Sequence, residues 1–469
     1  MRPAVESSRE LDVKRFLERI YRRCPVVLQD LVVSVDGFRI ERARYSAAFW
    51  SQYAEALRRA RLEPSAVAEY RDSKIRDLVE GAVAGTIYYK ELFKKLGLKA
   101  ADIRNANDLS VLPILSKEFV RGNPDLFVSA LIDKKDTVTC STSGTTGSGL
   151  VFPATKAAVR EQWAIWWRFR NLHGIRYGTW CGYFGGRLIV PATEKSAPFW
   201  RVNRPGRQVI FSSYHLSEST VDAYVDEIER REIPWLHGYP SSLALLAAMV
   251  LDRGRRVTTV SHVSIGSENL NEHQSSMIEQ AFGVRPIQHY GMAEGVANFS
   301  ECANGHLHLD EDYAFAEFIP QVDGDGFRII GTNFSNPAFP LLRYDVGDIA
   351  IAPIEIECSG SRMLRVVSKI DGRADDYLVA KDGTRIGRLG PIFKDMTSIR
   401  ESQFTQTTVG QALLRVVKRA GYSAADERKL NELLFERLGG GVDVAIEYVS
   451  EIQKTKSGKL RLVVNRIAE

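Results

Sequence analysis

From residue 135 to about residue 330 the chain alternates strand-like and helix-like segments, and this alternation restricts its fold more than any other feature. VDAYVDEIER (221–230), SSLALLAAMVLDRG (241–254) and NEHQSSMIEQAFG (271–283) carry helical apolar spacing, while IPWLHGY (233–239), TVSHVSIGS (259–267) and PIQHYG (286–291) between and after them read as strands. Alternation of this kind implies a parallel sheet covered by helices. Residues 1–110 look mostly helical, and RDSKIRDLVEGAVAGTIYYKELFKKLG (71–97) ends on Gly97. LPILSKEFV supplies a short extended piece and a helix start capped by Ser116. Residues 310–370 turn β-rich, with Asp-Gly turns in DGDGFRIIGT. DGRADD at 371–376 is a polar knot, and a small α+β unit follows it. The expected fold is α/β: a large N-terminal domain (1–374) with helix-covered, largely parallel sheets plus a β-rich subdomain, its first 70 residues or so a helical extension (1–70), and a small mobile α+β C-terminal domain over 375–469.

Composition excludes several classes. At 469 residues the chain is too long for one core, and 44% hydrophobic with 26% charged residues is ordinary for a globular enzyme. A net charge of +5 with no basic, aromatic-interleaved tract gives no reason to expect nucleic acid. Five scattered cysteines without a CxxC favour reduced thiols in the cytoplasm. The charged N-terminus lacks a signal-peptide core, and the longest apolar run, LALLAAMVL (243–251), is about half of a membrane span and reads as a core helix.

Residues 141–149, STSGTTGSG, are all hydroxyl or glycine. Such a run cannot build a core, but its backbone N–H groups can converge on an anion, with Ser and Thr adding donors. A flexible linker is the plain alternative. It is not a Walker loop, because no Lys follows the glycines. Four motifs follow. GSENL (266–270) comes after an apolar strand, where an open α/β sheet forms its ligand crevice. Glu268 there suits either a base or ribose contact, or a plain helix N-terminal carboxylate. HYGMAEG (289–295) offers the Tyr290 ring, close approach at Gly291, and the Glu294 carboxylate for Mg²⁺. RYDVGD (343–348) offers Asp345 and Asp348 to ribose hydroxyls, or to a simple Asp-capped turn. KTKSGKLR (454–461) is a solvated basic loop or a mobile phosphate contact through Lys459.

In this order the motifs resemble the adenylate-forming superfamily of acyl-CoA synthetases, peptide-synthetase adenylation domains and luciferases. Within it, the chain is most similar to the phenylacetate–CoA ligase and capsular-polysaccharide-biosynthesis branch. The resemblance runs from about Asp72 to the end, through IYYKELFKKLG, DLSVLPILSKE, STSGTTG, LHGYPSSL, YGMAE, LLRYDVGD, GRADD and KTKSGKLR. It implies activation of a small carboxylic acid by Mg·ATP to an acyl-adenylate and pyrophosphate, then transfer to a thiol, most often coenzyme A.

By that resemblance Thr142, Ser143, Gly144, Thr145, Thr146 and Gly147 would hold the β- and γ-phosphates. Ser267 and Glu268 would lie by the adenine, with Tyr290 stacked on it. Glu294 would ligate Mg²⁺. Asp348 would bind the ribose, with Arg373 beside it. Asp375 would be the hinge, and Lys459 would bridge the attacking carboxylate and the α-phosphate. His237, Gly238, Tyr239 and Pro240, with Gly291 and Met292, would build an acyl pocket suited to an aryl acid. Tyr239 could equally be a core aromatic.

The chain departs from the family pattern in three places. Ser148, Gly149 and Leu150 stand where a Pro-Lys often ends the loop, Ala293 replaces a Thr or Ser, and YLVAKDGTRIGRLG replaces an Arg-Gly thiolation loop. The acceptor therefore stays open between coenzyme A, a carrier protein, and an amine or hydroxyl. A nucleotide-binding protein that has lost catalysis is the non-enzyme alternative. Cys302, His306, His308 and Cys358 fall where some relatives bind structural zinc, and Cys302, His308 and Cys358 are the candidate ligands; packed side chains are the plain alternative. No membrane partner is expected, and a homodimer is one option for assembly.

Overall fold

The computed structural model describes residues 20–21, 23–142, 150–186, 189–191, 194–321, 326–361, 363–373, 377–386, 389–393, 396, 398–419, 421–454 and 460–467. Helices α1 (Val26–Arg44), α2 (Ala47–Arg59), α3 (Pro64–Gly85) and α4 (Ile87–Leu96) form the N-terminal part. Thr86 accepts the Tyr89 N–H at the start of α4, and Gly97 ends it in the left-handed region at φ 68°. Ser116 caps α5 (Lys117–Gly122) by accepting the Phe119 N–H, as its sequence predicts.

The strands β1 (Thr137–Ser141) and β2 (Val151–Thr155) form an antiparallel hairpin that leads into α6 (Lys156–Leu172), capped by Thr155. Then come β3 (Cys181–Phe184), β4 (Trp200–Asn203), β5 (Gln208–Phe211), α7 (Val221–Arg230), β6 (Trp235–Gly238), α8 (Pro240–Asp252), β7 (His262–Ile265), α9 (Glu272–Phe282), β8 (Ile287–Gly291), β9 (Asn298–Glu301) and β10 (Leu307–Leu309). The β-rich part adds β11 (Ala314–Pro320), β12 (Phe327–Asn333), β13 (Tyr344–Ile351), β14 (Ile354–Glu355), β15 (Arg365–Val367) and β16 (Lys369–Arg373).

One ten-stranded sheet runs β14-β15-β10-β9-β8-β7-β6-β3-β5-β4. Its centre, β5-β3-β6-β7-β8, is the parallel, helix-covered sheet expected from the alternation. Both flanks are antiparallel, so the parallel character is confined to that centre. LALLAAMVL falls in α8, where Leu243 to Val250 are all buried, which explains an apolar run without a membrane. No helix among the described residues is long and apolar enough to cross a membrane. A second, four-stranded antiparallel sheet, β11-β12-β13-β16, is the β-rich subdomain.

The N-terminal helices are built into this body. At the crossing of α1 and β4, a Cβ on Gly37 would sit 2.0 Å from Asn203 Oδ1, so any larger residue would have to displace the Asn203 amide. α2 packs on α6, and the two share a buried charge cluster. Arg59 Nε donates to Asp312 Oδ2 at 2.7 Å, Arg168 Nη1 to the same oxygen at 2.6 Å, and Arg168 Nη2 to Asp310 Oδ1 at 2.8 Å.

Past the hairpin β17 (Leu378–Val379) and β18 (Arg385–Ile386), the C-terminal unit contains β19 (Ile399–Thr408), β20 (Gln411–Lys418), α10 (Ala424–Leu438), β21 (Asp443–Tyr448) and β22 (Val463–Asn465). Its sheet order is β21-β20-β19-β22. Ion pairs fasten it to the large body: Arg400 bonds Glu218 and Asp252, each at 2.9 Å, and Arg419 bonds Asp252 at 2.9 Å. The boundary expected at 374–376 lies outside the described residues.

Candidate active site

Three adjacent parallel strands end together: β6 at His237 and Gly238, β7 just before Ser267 and Glu268, and β8 at Tyr290 and Gly291. Carboxyl ends of this kind are where an open α/β sheet holds ligands. A cleft of 3830 Å³ opens there, and Thr142, His237, Ser267, Glu268, Tyr290, Gly291, Met292, Glu294 and Asp348 all line it. Residues 460–463 of the C-terminal unit line the same cleft from its other side. Side chains spread over more than 300 residues of sequence are thus brought to one place by the fold.

The glycine-rich loop springs from the tip of the β1–β2 hairpin. Thr142 closes its base, with the Thr142 N–H donating to the Leu150 carbonyl at 3.0 Å and the Leu150 N–H donating to Thr142 Oγ1 at 2.9 Å. The following helix begins at Lys156, after β2. Ser143, Gly144, Thr145, Thr146 and Gly147, together with Asp375 and Lys459, lie outside the described residues.

Tyr290 donates its hydroxyl to Asp348 Oδ2 at 2.6 Å, which joins the candidate adenine and ribose residues in one constellation. Asp345 takes the turn role instead: it accepts the Gly347 N–H at 3.0 Å and pairs with Arg328. Gly347, at φ 76°, makes that turn. The β13–β16 pairing sets Arg373 in register with Asp348, so the backbone brings the two ribose candidates side by side. Ser267 holds φ 68°, a strained conformation for a non-glycine residue of the kind that clusters at functional sites. Glu268 Oε2 accepts the Ser241 N–H at 3.1 Å, so it caps α8 from across the crevice.

Glu294 is buried but faces the cleft, and Tyr344 donates to its Oε1 at 3.4 Å. Burial pushes its carboxyl above the ordinary value of 4.5, while Lys117 pulls the other way. A buried carboxylate of this kind fits a divalent cation, which would favour its charged form. The sign follows. Because the folded pKa is raised, the stability this group contributes to metal-free protein falls as pH rises through its titration, and Mg²⁺ should restore it. At pH 8, Mg·ATP is therefore expected to raise the unfolding temperature of the native protein more than that of Glu294→Gln.

Of the residues expected at the acyl pocket, His237, Gly291 and Met292 line the cleft. His237 lies on the cleft wall, its Nδ1 2.9 Å from Ser264 Oγ, and burial lowers its pKa to about 3. Met292 is fixed through its carbonyl, which accepts Gln162 Nε2 at 2.8 Å. A Cβ on Gly238 would meet the Phe184 carbonyl at 2.3 Å, so this glycine allows the close packing of β6 on β3. Tyr239 is not part of the cleft lining, and Pro240 is the first residue of α8. The wall also contains residues that sequence motifs did not single out: Trp163, Trp166 and Arg170 of α6, Trp235 and His289. Their signal was the Trp-rich face of α6, with side chains at positions i, i+3 and i+7.

Away from the cleft, Cys302, His306, His308 and Cys358 converge, with one donor atom from each within 4.8 Å of all the others. The sulfurs of Cys302 and Cys358 are 3.7 Å apart, and His306 Nδ1 is 3.4 Å from Cys358 Sγ. His308 Nδ1 meets the Met363 carbonyl at 2.6 Å, and its buried Nε2 has no hydrogen-bond partner. His306 completes a set of four that sequence reading had left at three. A Cβ on Gly360 would lie 3.0 Å from Cys302 Sγ, so residue 360 also touches the cluster.

A parallel-centred body with a strand-end cleft and a small C-terminal unit facing it is the architecture that the resemblance to adenylate-forming ligases implies. Residues 378–466 match the CapK C-terminal domain family. Protein CapK of Staphylococcus aureus is 26% identical over 458 residues, covering 96% of this chain and 100% of that protein. A phenylacetate–coenzyme A ligase of Pseudomonas putida is 23% identical, covering 88% and 90%. Among solved structures, a 2-hydroxyisobutyryl-CoA ligase in the postadenylation state, in complex with R3-HIB-AMP, aligns with a TM-score of 0.65 at 16% identity over 87% of this chain and 91% of that one. The chain is homologous to CapK and the phenylacetate–coenzyme A ligases.

Proposed function

We propose that the protein activates a carboxylic acid with Mg·ATP to an acyl-adenylate and passes the acyl group to coenzyme A. One observation carries this reading: Tyr290, Asp348, Glu294 and Glu268 meet in a single cleft at the ends of β6 to β8, with Tyr290 and Asp348 hydrogen-bonded at 2.6 Å. The acid's oxygen attacks the α-phosphorus, and the bond to pyrophosphate breaks. Two anions must approach each other, so the work is alignment and charge neutralisation, not proton removal. Mg²⁺ bound when the nucleotide is present supplies charge at the phosphates. Glu294 holds that ion, Tyr290 stacks on the adenine, Asp348 and Arg373 bind the ribose, and the 142–147 loop cradles the β- and γ-phosphates. Lys459 neutralises the reacting oxygens from the C-terminal domain, which turns about Asp375 between the two half-reactions. The rings of Trp163, Trp166 and Trp235 favour an aryl acid.

The test is pyrophosphate release over a panel of aryl, fatty and amino acids, each with and without coenzyme A. Acid-dependent release with thioester formation supports the whole reading. Release with an amine, hydroxyl or carrier-protein product keeps adenylation and replaces the acceptor. No release with any acid, despite ATP binding, means the protein binds nucleotide without catalysis.

The Cys302, His306, His308 and Cys358 cluster is read as a structural zinc site. Tetrahedral Zn–S bonds of about 2.3 Å put two sulfurs about 3.8 Å apart, which agrees with the 3.7 Å seen. His308 already has its Nδ1 on a carbonyl, so its unpartnered, buried Nε2 would be the atom to ligate zinc. Purified protein is expected to carry about one zinc per chain. Chelation, or Cys358→Ser, is expected to remove it and lower the unfolding temperature. Metal-free protein of equal stability would refute the assignment.

A further inference from the structure

Arg170 is 9% exposed, and its guanidinium carbon lies 4.8 Å from the Trp167 ring centroid, 5.2 Å from Trp235 and 6.0 Å from Trp163. The other arginines buried to this degree have acceptors. Arg59 and Arg168 bind Asp312, Arg343 binds Glu317, and Arg201 binds the Gln29 amide oxygen. Among the described residues, no carboxylate pairs with Arg170 and no oxygen accepts a hydrogen bond from it. Indole faces attract the cation but cannot satisfy its five N–H donors, and a buried charge left this way is costly unless something else meets it.

What the guanidinium faces is the cleft, since Arg170 lines it. A train of rings leads there from the acyl end. A Cβ on Gly291 would lie 3.1 Å from His289 and 3.3 Å from Trp166 Nε1, an indole nitrogen without a partner. His289 is 5.8 Å from Trp166, and Trp235 is 5.8 Å from His237. Both histidines are kept neutral down to about pH 3, by burial first and by the Arg170 charge second. They can offer hydrogen bonds but no rival charge. A second guanidinium, Arg44 of α1, lies 3.6 Å from the Trp163 ring centroid and also lines the cleft. The nearby Glu41 accepts the Tyr177 hydroxyl.

We propose that the substrate acid carries a second anionic group at the end opposite the activated carboxylate, and that Arg170, assisted by Arg44, binds it inside the tryptophan box. Arg170 is then the residue that sets acid specificity, and α1 of the N-terminal extension completes the pocket. The inference rests on the acid-activating reading above. A bidentate guanidinium–anion pair is shielded from water here, so its contribution should exceed that of a surface pair.

The test compares the full-length protein with Arg170→Met and Arg170→Lys on matched acids: phenylacetate, 4-carboxyphenylacetate and 4-phosphonophenylacetate, and butyrate against glutarate. Pyrophosphate exchange gives kcat/KM, and the ligand-induced rise in unfolding temperature gives binding without chemistry. The native protein is expected to favour dianionic over monoanionic acids at least about tenfold. Arg170→Met is expected to lose that ratio mainly through KM, and Arg170→Lys to keep part of it. The carboxy and phosphono arms tell which anion fits. Without ligand, Arg170→Met is expected to unfold at a higher temperature, because it removes an unpaired buried charge; this also shows that the variant folds. If no acid supports exchange, the catalytic reading falls, while selective stabilisation of native protein by the dianionic acids still upholds the anion site. Equal response of native protein and Arg170→Met to both acid types overturns it.

Discussion

Lys459→Ala is expected to abolish acid-dependent exchange of pyrophosphate into ATP while sparing thioester formation from a supplied acyl-adenylate. The glycine-rich loop ends in Ser148, Gly149 and Leu150, with no lysine of its own. Position 293 is Ala, with no hydroxyl for the α-phosphate. The charge that neutralises the reacting oxygens must then come from the metal, backbone N–H groups and the C-terminal domain. Leu460 and Arg461, which follow Lys459 in sequence, line the cleft. At about 4 Å and an effective dielectric near 20, one charge pair amounts to roughly 4 kcal/mol. That corresponds to about a thousandfold in rate. A stopped assay for each half-reaction separates the two steps. Normal exchange by Lys459→Ala would refute the assignment, and equal loss of both steps would point to a folding defect.

Asp312→Ala is expected to destabilise the large domain by about 3 kcal/mol, because it removes the carboxylate shared by two buried guanidinium groups and leaves Arg59 only Glu161 and Arg168 only Asp310 as ion-pair partners among the described residues. Asp312 is fully enclosed and binds Arg59 of α2 and Arg168 of α6 at 2.7 and 2.6 Å. Burial alone would raise its pKa, but Arg168 and Arg59 overcome that and hold it at about 2. The stability it supplies is therefore fully present above the unfolded value near 4 and is lost as pH falls towards 2. Urea unfolding of native protein and Asp312→Ala at pH 7 and pH 3 measures both effects. The gap between them should narrow at the lower pH. A variant as stable as the native protein at pH 7 would show that the cluster does not anchor the N-terminal helices.

The elements that sequence identified best were those with strong local signals. Ser116 and Gly97 delimit helices because capping and left-handed turns are decided within a few residues. The segment LALLAAMVL is a core helix because a short, fully apolar run has nowhere else to go. What stayed hidden depended on distant partners. The two possible roles of Asp345 and Asp348 could not be separated in sequence, since the same turn presents both. Only Tyr290, arriving from β8, selects Asp348, while Arg328 and the Gly347 N–H take Asp345. The close approach of β3 to Gly238, which excludes a side chain there, was likewise not visible in sequence. His306 joined the candidate zinc ligands only when β15 and the preceding turn brought Cys358 within 3.4 Å of it.

By itself the sequence determined a helix-covered parallel sheet, a β-rich stretch after it, an α+β stretch after that, and the order of the motifs; the antiparallel flanks of the sheet were not legible in it. What was legible follows from periodicity, turn chemistry and short motifs, all local properties of the chain. The tertiary structure alone decided which of those motif residues share a cleft. It also decided that the N-terminal helices pack into the large body, and that, among the described residues, Arg170 meets indole rings and pairs with no carboxylate. The physical reason is that burial and the pairing of charges depend on what the rest of the fold brings alongside. An arginine on a Trp-rich helix face looks the same in sequence whether an aspartate or an open cleft stands opposite it.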